Sequence, residues 1–174
     1  RYMLNLRIAT ELGAHRIVFH VNFQPHIRRT EYLPDWTRRQ VEFWSAMAEE
    51  ARQLGITIAL ENMWEPDPGI IAAVLEPVAS PHLGACLDVG HVYLYTDSAP
   101  FPSWINRLQD WIVHCHINNH RGLYDEHLPL DAPDGVIDYG QILPLLESLP
   151  RRPLVCLEMD HLDDLKRSLH YLGR

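Results

Sequence analysis

The sequence contains almost no lysine. Of its 15 basic residues, 14 are arginine and only Lys166 is lysine. Such a chain offers little for Schiff-base chemistry, in which a lysine amine attacks a carbonyl carbon. Cysteine is scarce as well, and Cys86, Cys115 and Cys156 all stand in apolar runs, where we interpret them as packing residues. Three embedded cysteines exclude a disulfide framework and fit a reducing compartment, so the expected location is cytoplasmic.

Long apolar runs and glycine-rich phosphate loops are also missing. No run approaches the roughly 18 apolar residues of a membrane span, so we expect no membrane association. Neither GxGxxG nor GxxxxGK followed by Ser or Thr occurs, which argues against a doubly wound nucleotide-binding fold. The formal net charge is −8, and an acidic chain disfavours nucleic acid held by charge alone.

Short apolar runs alternate with helical patterns along the chain. Each run is too short for a helix and is typical of a buried parallel strand. The predicted strands are Arg16–Phe23, Ile56–Met63, Leu83–Val92, Ile112–Asn118 and Leu154–Met159. The predicted helices are Met3–Leu12, Pro34–Leu54, Pro68–Ala79, Pro102–Asp110, Tyr139–Leu149 and Leu162–Leu172. This alternation predicts an α/β fold of right-handed βαβ units around a parallel sheet, in one domain over residues 1–174.

Every predicted strand carries polar side chains near its carboxyl end. They are His20, Glu61, Asp88 with His91, His116, and Glu158. In a TIM (β/α)8 barrel, the active site is built from the residues at that end of the strands. The position of the polar residues therefore favours a barrel over an open doubly wound sheet.

Side-chain alternation places four of these residues on one face. Residues two apart in a strand share a face, so Glu61, Asp88, His116 and Glu158 would form one ring inside the barrel. Three carboxylates in a small low-dielectric space need a compensating cation, and mixed oxygen and imidazole ligands suit Mn²⁺, Mg²⁺, Co²⁺ or Zn²⁺. Taken singly, each carboxylate has a simpler interpretation as a salt-bridge or loop-capping group. His114 is likewise interpreted as a core histidine with satisfied hydrogen bonds. The coincidence on four consecutive strands favours a metal site.

An ordered set of motifs runs from about His15 to the C-terminus. The strings are LENM, CLDVGH, HCHINN followed by DEHLPL, DGVIDYGQI and VCLEM. This set resembles the xylose isomerase-like TIM barrel superfamily, which groups sugar-phosphate isomerases and epimerases with apurinic-site nucleases of the endonuclease IV type. The chain departs from the family pattern at Pro133-Asp134-Gly135, where the family has Gly-Glu-Gly, and at Asn119, where it often has aspartate.

The resemblance implies two ligand sets. In the epimerases, one Mn²⁺ or related ion is held at positions matching Glu61, Asp88, His116 and Glu158, and the two glutamates exchange protons with the substrate. The nuclease branch binds three zinc ions and also uses positions matching His20, His91, Asp125 and His127.

The resemblance also implies an incomplete barrel. By the order of the motifs, the first strand here matches the fourth of eight, so we expect an N-terminally truncated barrel of five strands that lacks the first three βα units. Two unpaired sheet edges would then favour association into a homo-oligomer, and the chain by itself would be inactive.

Three functional hypotheses follow. The first is a metal-dependent isomerase or epimerase acting on a sugar or sugar phosphate, in which Glu61 and Glu158 transfer a proton next to a carbonyl through an enediolate. Here His91 and Arg121 would hold substrate hydroxyl or phosphate groups, and Trp64 would supply an apolar platform. The second is a zinc phosphodiesterase acting on abasic DNA, which the Asp125-Glu126-His127 element favours and the acidic balance opposes. The third is an inactive barrel fragment.

Overall fold

The computed structural model describes residues 1–96 and 100–174 of the chain. In these residues, helices largely alternate with strands along the chain. The helices are α1 (Tyr2–Glu11), α2 (Tyr32–Leu54), α3 (Gly69–Val78), α4 (Val89–Tyr95), α5 (Phe101–Leu108), α6 (Tyr139–Glu147) and α7 (Leu162–Tyr171). The strands are β1 (Arg16–His20), β2 (Thr57–Glu61), β3 (Leu83–Asp88), β4 (Ile112–Ile117) and β5 (Leu154–Leu157).

The five strands form one parallel sheet in the order β1-β2-β3-β4-β5. Strands that follow one another in the chain are neighbours in the sheet, and each connection between them contains at least one helix, as in βαβ units. The result is a half-barrel with flanking helices, so the predicted five-stranded TIM-barrel-type fold is confirmed. All five carboxyl ends meet at one end of the half-barrel.

The central strands β2, β3 and β4 are buried on both faces, whereas β1 and β5 are partly exposed. Apolar side chains that point outward from the sheet pack under the helices. The longest helix, α2, contributes Trp36, Trp44, Met47, Ala48 and Ala51 to this core at helical spacing. It ends at Gly55, whose φ of 68° turns the chain so that the N–H of Gly55 reaches the carbonyl of Arg52 and the N–H of Ile56 reaches the carbonyl of Ala51. Among the described residues, no helix is both long and apolar enough to cross a membrane.

Helix α4 corrects one predicted boundary. The apolar run Leu83–Val92 looks like a single strand, but the strand ends at Asp88 and a helix begins at Val89. The Asp88 carboxylate causes the change because it accepts a hydrogen bond from the backbone N–H of His91 and thereby caps α4. Asp88 therefore ends β3 and begins α4.

A β-bulge shapes the sheet between β3 and β4. The register moves from Ala85 opposite Ile112 to Cys86 opposite His114, which leaves Val113 as an extra residue. Val113 packs with Ala59 and Cys86 in a small apolar cluster separate from the main core. This cluster closes the interior of the half-barrel below the carboxyl ends of the strands.

Candidate metal centre

Four side chains meet at the carboxyl end of the half-barrel. Glu61 ends β2, Asp88 ends β3, His116 lies one residue before the end of β4, and Glu158 follows β5. One ligand atom from each lies within 4.8 Å of every other. The ring expected from side-chain alternation is therefore present as a spatial cluster, and its use by a metal stays a proposal.

His116 is at the centre of this cluster. Its Nδ1 lies 2.9 Å from Glu61 Oε1, 3.2 Å from Glu158 Oε1 and 3.8 Å from Asp88 Oδ2. Burial lowers the pKa of His116, but the hydrogen bond to Glu61 and the surrounding carboxylates outweigh it and raise the pKa. The raised pKa favours the protonated, positively charged imidazole beside the three carboxylates.

Asp88 gives the strongest indication that the site fits a cation. Its side chain is fully buried, and Oδ2 has no hydrogen-bond partner among the described residues. Burial raises the pKa of Asp88 to about 7. A buried carboxylate oxygen without a partner is costly, and it is rare unless a cation or water completes it. The site residues therefore fit a divalent ion with oxygen and nitrogen ligands.

Glu61 stays ionised in this environment. Burial raises its pKa, but hydrogen bonds from His116 and His20 outweigh burial and lower the pKa to about 2. His20 Nε2 lies 3.2 Å from Glu61 Oε2, and nearly half of the His20 side chain is exposed. The structure thus brings His20, at the end of β1, to the ring as a neighbour of Glu61.

His91 and Asp125 lie beside the ring. The His91 imidazole is buried in the first turn of α4, and its Nε2 lies 3.1 Å from Asp125 Oδ2. Burial lowers the pKa of His91, but the Asp125 hydrogen bond and the charge of Asp88 raise it to about 9. The two residues are 34 positions apart in the sequence, and the loop after β4 brings them together.

His127 lies on the other side of Asp125 from His91. Its Nε2 lies 3.3 Å from Asp125 Oδ2, and its Nδ1 lies 3.3 Å from Asp160 Oδ1. The hydrogen bond with Asp125 is the main reason that the pKa of His127 is raised to about 9. His127 also has a φ of 49°, a left-handed conformation that is uncommon for residues other than glycine.

The other predicted substrate residues lie further out. Trp64, three residues beyond Glu61, has 38% of its surface exposed. The guanidinium group of Arg121 is exposed and donates to the carboxylates of Glu126 and Asp134. Arg121 therefore holds its own loop together in this structure.

Sequence reasoning missed Asn62, which ties two ligand-bearing strands together. Its side-chain amide donates to the carbonyl of Asp88 at 3.0 Å and accepts from the N–H of Asp88 at 2.9 Å. Its own carbonyl accepts from His91 Nδ1 at 2.8 Å. The only signal in the sequence is its position directly after Glu61, since a contact across 26 residues leaves no local pattern.

Glu65 and Asp160 were missed as well. Glu65 is buried and accepts backbone N–H groups from Phe23 and Met63, so it joins the loops that follow β1 and β2. Asp160 is exposed and meets His127 as described above. Both contacts join segments that are distant in sequence, and no local spacing predicts them.

His114 differs from its predicted role. It lies in β4 two residues before His116, and it is 8% exposed. Its Nδ1 has no hydrogen-bond partner in the described part of the chain, so the interpretation as a satisfied core histidine is wrong. Burial lowers the pKa of His114 to about 4, which makes it a neutral imidazole at physiological pH.

The chain forms a parallel half-barrel with acidic and histidine side chains gathered at its strand ends. This arrangement is typical of α/β-barrel proteins, whose sites lie at that end of the strands. Within this class, the chain belongs to the xylose isomerase-like TIM barrel family, whose model matches residues 2–174. The resemblance of the sequence motifs is thereby confirmed.

Three known proteins are similar to the chain. The uncharacterized protein MJ1311 of Methanocaldococcus jannaschii is 25% identical over 172 residues, which cover 94% of this chain and 57% of that protein. The chain therefore spans little more than half the length of this relative. The TTHB071 protein from Thermus thermophilus, solved after soaking with ZnCl2, is 32% identical with a TM-score of 0.81, and the match covers 99% of this chain and 66% of that one. A D-tagatose 3-epimerase-like protein has a TM-score of 0.82 at 24% identity, and the match covers 98% of this chain and 65% of that one. At this level of identity, the similarity shows a shared fold only.

Proposed function

We propose that the protein is a metal-dependent isomerase or epimerase that acts on a sugar or sugar phosphate. The observation that carries the proposal is the cluster of Glu61, Asp88, His116 and Glu158, whose ligand atoms lie within 4.8 Å of one another. The unpaired Oδ2 of Asp88 supports a cation within the cluster. Solved relatives in this fold include a D-tagatose 3-epimerase-like protein, which supports a carbonyl sugar as substrate.

The four cluster residues would hold Mn²⁺, Mg²⁺ or Co²⁺. When bound, such an ion polarises a carbonyl oxygen and stabilises the negative charge that develops on it. The family resemblance gives the proton transfer to the two glutamates, so we assign Asp88 and His116 to holding the ion only.

Glu61 and Glu158 would carry the proton. They approach the same His116 nitrogen from β2 and from beyond β5, at 2.9 and 3.2 Å. One glutamate, ionised at the start, would remove a proton from the carbon next to the carbonyl, and the other, protonated at the start, would deliver its proton from its own side, so that the two glutamates end the turnover with exchanged protonation states. Delivery from the opposite side inverts the configuration at that carbon, which is the outcome of an epimerase.

The rim of the site would contact the rest of the sugar. His91 lies beside the cluster, where its imidazole can hold a substrate hydroxyl once it exchanges its contact with Asp125. The exposed face of Trp64 offers an apolar surface to the sugar ring. Arg121 stays a prediction as a substrate contact, since a substrate group must first replace one of its two carboxylate partners.

The test is an epimerisation assay of the 174-residue chain on ketohexoses and their phosphates with added Mn²⁺. We expect turnover by the wild type and a loss of at least ~100-fold in Glu158→Gln, because the amide keeps the shape of the side chain but cannot accept the proton. The matched control is Glu147→Gln, on the exposed surface of α6, which should keep full activity. Turnover that survives Glu158→Gln contradicts the proposal.

One observation favours a second function. Asp125 lies between the imidazoles of His91 and His127, at 3.1 and 3.3 Å, and a site for one ion does not need these ligands. A zinc phosphodiesterase acting on abasic DNA would use them together with His20. Elemental analysis separates the two functions: three zinc ions per chain with cleavage of an abasic-site duplex support the phosphodiesterase, and one Mn²⁺ without cleavage supports the isomerase.

A further inference from the structure

A second group of potential ligands lies inside the half-barrel, below the carboxylate cluster. Cys86 of β3 and His114 and His116 of β4 each offer one ligand atom, and the three atoms lie within 4.8 Å of one another. Cys86 is 1% exposed, and the two histidines are 8% and 7% exposed. This group, the thiol-imidazole cluster, shares His116 with the carboxylate cluster.

The β-bulge brings the cluster together. It sets Cys86 directly opposite His114, and the extra residue Val113 packs against Cys86 from below. Ala59 closes the same side with a small apolar side chain. The thiol and the imidazoles therefore lie between this apolar floor and the carboxylate cluster above them.

His114 supplies independent evidence for a ligand. Its Nδ1 is buried and has no partner among the described residues, although buried imidazole nitrogens are normally hydrogen-bonded. The ring is edge-on to His116, with the centroids 5.1 Å apart and the planes at 85°. The two imidazoles therefore do not stack face to face, and neither ring covers the nitrogens of the other.

We propose that Cys86, His114 and His116 bind a thiophilic ion such as Cd²⁺ or Zn²⁺. One sulfur and two imidazole nitrogens form a soft to borderline ligand set, whereas the carboxylate cluster is hard. On binding, the Cys86 thiol loses its proton to solvent and the thiolate sulfur bonds to the ion. The three ligand atoms lie within 4.8 Å of one another, close enough for a single ion bound through Zn–S and Zn–N bonds of about 2.3 and 2.0 Å after small side-chain adjustments.

The shared histidine couples the two clusters. His116 Nδ1 already contacts Glu61 and Glu158, so an ion on the thiol-imidazole cluster competes with these carboxylates for the same side chain. A thiophilic ion should therefore weaken the binding of Mn²⁺ to the carboxylate cluster. The protein would thereby discriminate between hard and soft ions at adjacent positions.

The test is a titration of the metal-free 174-residue chain with Cd²⁺, followed by the ultraviolet charge-transfer absorption of a cadmium-thiolate bond. We expect a saturable band in the wild type and no band in Cys86→Ser. His114→Gln should keep the band but weaken Cd²⁺ binding at least ~10-fold, because one ligand is lost. Excess Mn²⁺ should raise the Cd²⁺ concentration needed for half-saturation.

The chain offers two matched controls. Cys115 points away from the cluster into the main core, and the Cys156 thiol donates to the carbonyl of Leu157. Cys115→Ser and Cys156→Ser should keep the band. Glu158→Gln should keep it too, because Glu158 belongs to the carboxylate cluster alone, so a failure of the proposed catalytic function would not remove this signal.

Several results would overturn the inference. They are the absence of the band in the wild type, its persistence in Cys86→Ser, and its loss in Cys115→Ser or Cys156→Ser. Half-saturation by Cd²⁺ that does not respond to Mn²⁺ would contradict the sharing of His116. Circular dichroism checks the fold of each variant. If Cys86→Ser unfolds because of its buried hydroxyl, Cys86→Ala replaces it in the same titration, since alanine adds no polar group.

Discussion

Asp88 has two roles that conflict when no metal is bound. Its Oδ1 caps α4 through the N–H of His91, whereas its Oδ2 is buried without a partner among the described residues. The first role stabilises the fold, and the second destabilises it unless a cation is present.

Asp88→Asn should therefore stabilise the metal-free protein. Asparagine keeps an oxygen for the His91 N–H and removes the buried charge. Because the folded-state pKa of Asp88 is raised from 3.8 to about 7, its contribution to stability is present below pH 3.8 and is lost as the pH rises through about 7. We expect a higher Tm than wild type at pH ~8 and a smaller difference at pH ~5, both measured by thermal unfolding in chelator.

The same variant tests the metal site. A ligand that binds only the folded state stabilises it by about 2.7 kcal/mol at roughly 100 times its Kd. Mn²⁺ should raise the Tm of the wild type and leave that of Asp88→Asn nearly unchanged, because the variant has lost a charged ligand. An equal rise in both proteins would show that Asp88 does not hold the ion.

The loop between β4 and α6 is organised by a single amide side chain. Asn119 Nδ2 donates to the carbonyls of Leu130 and Ile137, both at 3.0 Å, and its Oδ1 accepts from the N–H groups of His120 and Ile137. Gly135 packs directly on it, since a Cβ at this position would lie 2.5 Å from the amide. This loop also carries Asp125 and His127.

Asn119→Asp should destabilise the loop, although the family often has aspartate at this position. A carboxylate has no hydrogen to donate, so it would face two carbonyl oxygens that lose their donor, at about 1–3 kcal/mol for each buried unpaired group. Urea unfolding should show a lower midpoint. Asn106→Asp, on the exposed surface of α5, is the control and should change the free energy of unfolding by less than ~0.5 kcal/mol. Equal stability of both variants would contradict this account of the loop.

The strands and the polar residues at their ends could be predicted from the sequence because both depend on local pattern. Buried parallel strands appear as short apolar runs, and alternation within each run assigns Glu61, Asp88 and His116 to one face. The boundary at Val89 could not be predicted, because apolar residues continue from β3 into α4 and only the capping bond of Asp88 separates them. The contacts of Asn62 and the bulge at Val113 depend on neighbouring strands, so they appear only in the folded chain.

At the scale of the whole molecule, the sheet has two outer strands. Among the described residues, β1 and β5 each pair on one side only. Leu154 of β5 is 50% exposed, an unusual position for leucine in a parallel strand. Unpaired, apolar sheet edges promote pairing with another chain. We therefore expect the 20.2 kDa chain to self-associate as its concentration rises.

Leu154→Lys should oppose this association, because a charged side chain on an edge strand is costly to bury in an interface. Sedimentation velocity over a concentration series should show a weight-average mass that grows in the wild type and stays near that of the monomer in the variant. Val136→Lys is the control, since Val136 is similarly exposed, at 46%, but lies in a loop. If the wild type stays monomeric throughout, or if both variants behave alike, β5 is not the associating edge.

In the proposed reaction, Glu61 and Glu158 exchange a proton with the carbon next to a sugar carbonyl. Wash-in of deuterium from D₂O, followed by NMR on a ketohexose incubated with the chain and Mn²⁺, reports this step without requiring the product to be known. We predict exchange at that carbon in the wild type and in Glu147→Gln, and its loss in Glu61→Gln and Glu158→Gln. Exchange that persists in both glutamate variants, or that is absent from the Mn²⁺-loaded wild type, would contradict the account.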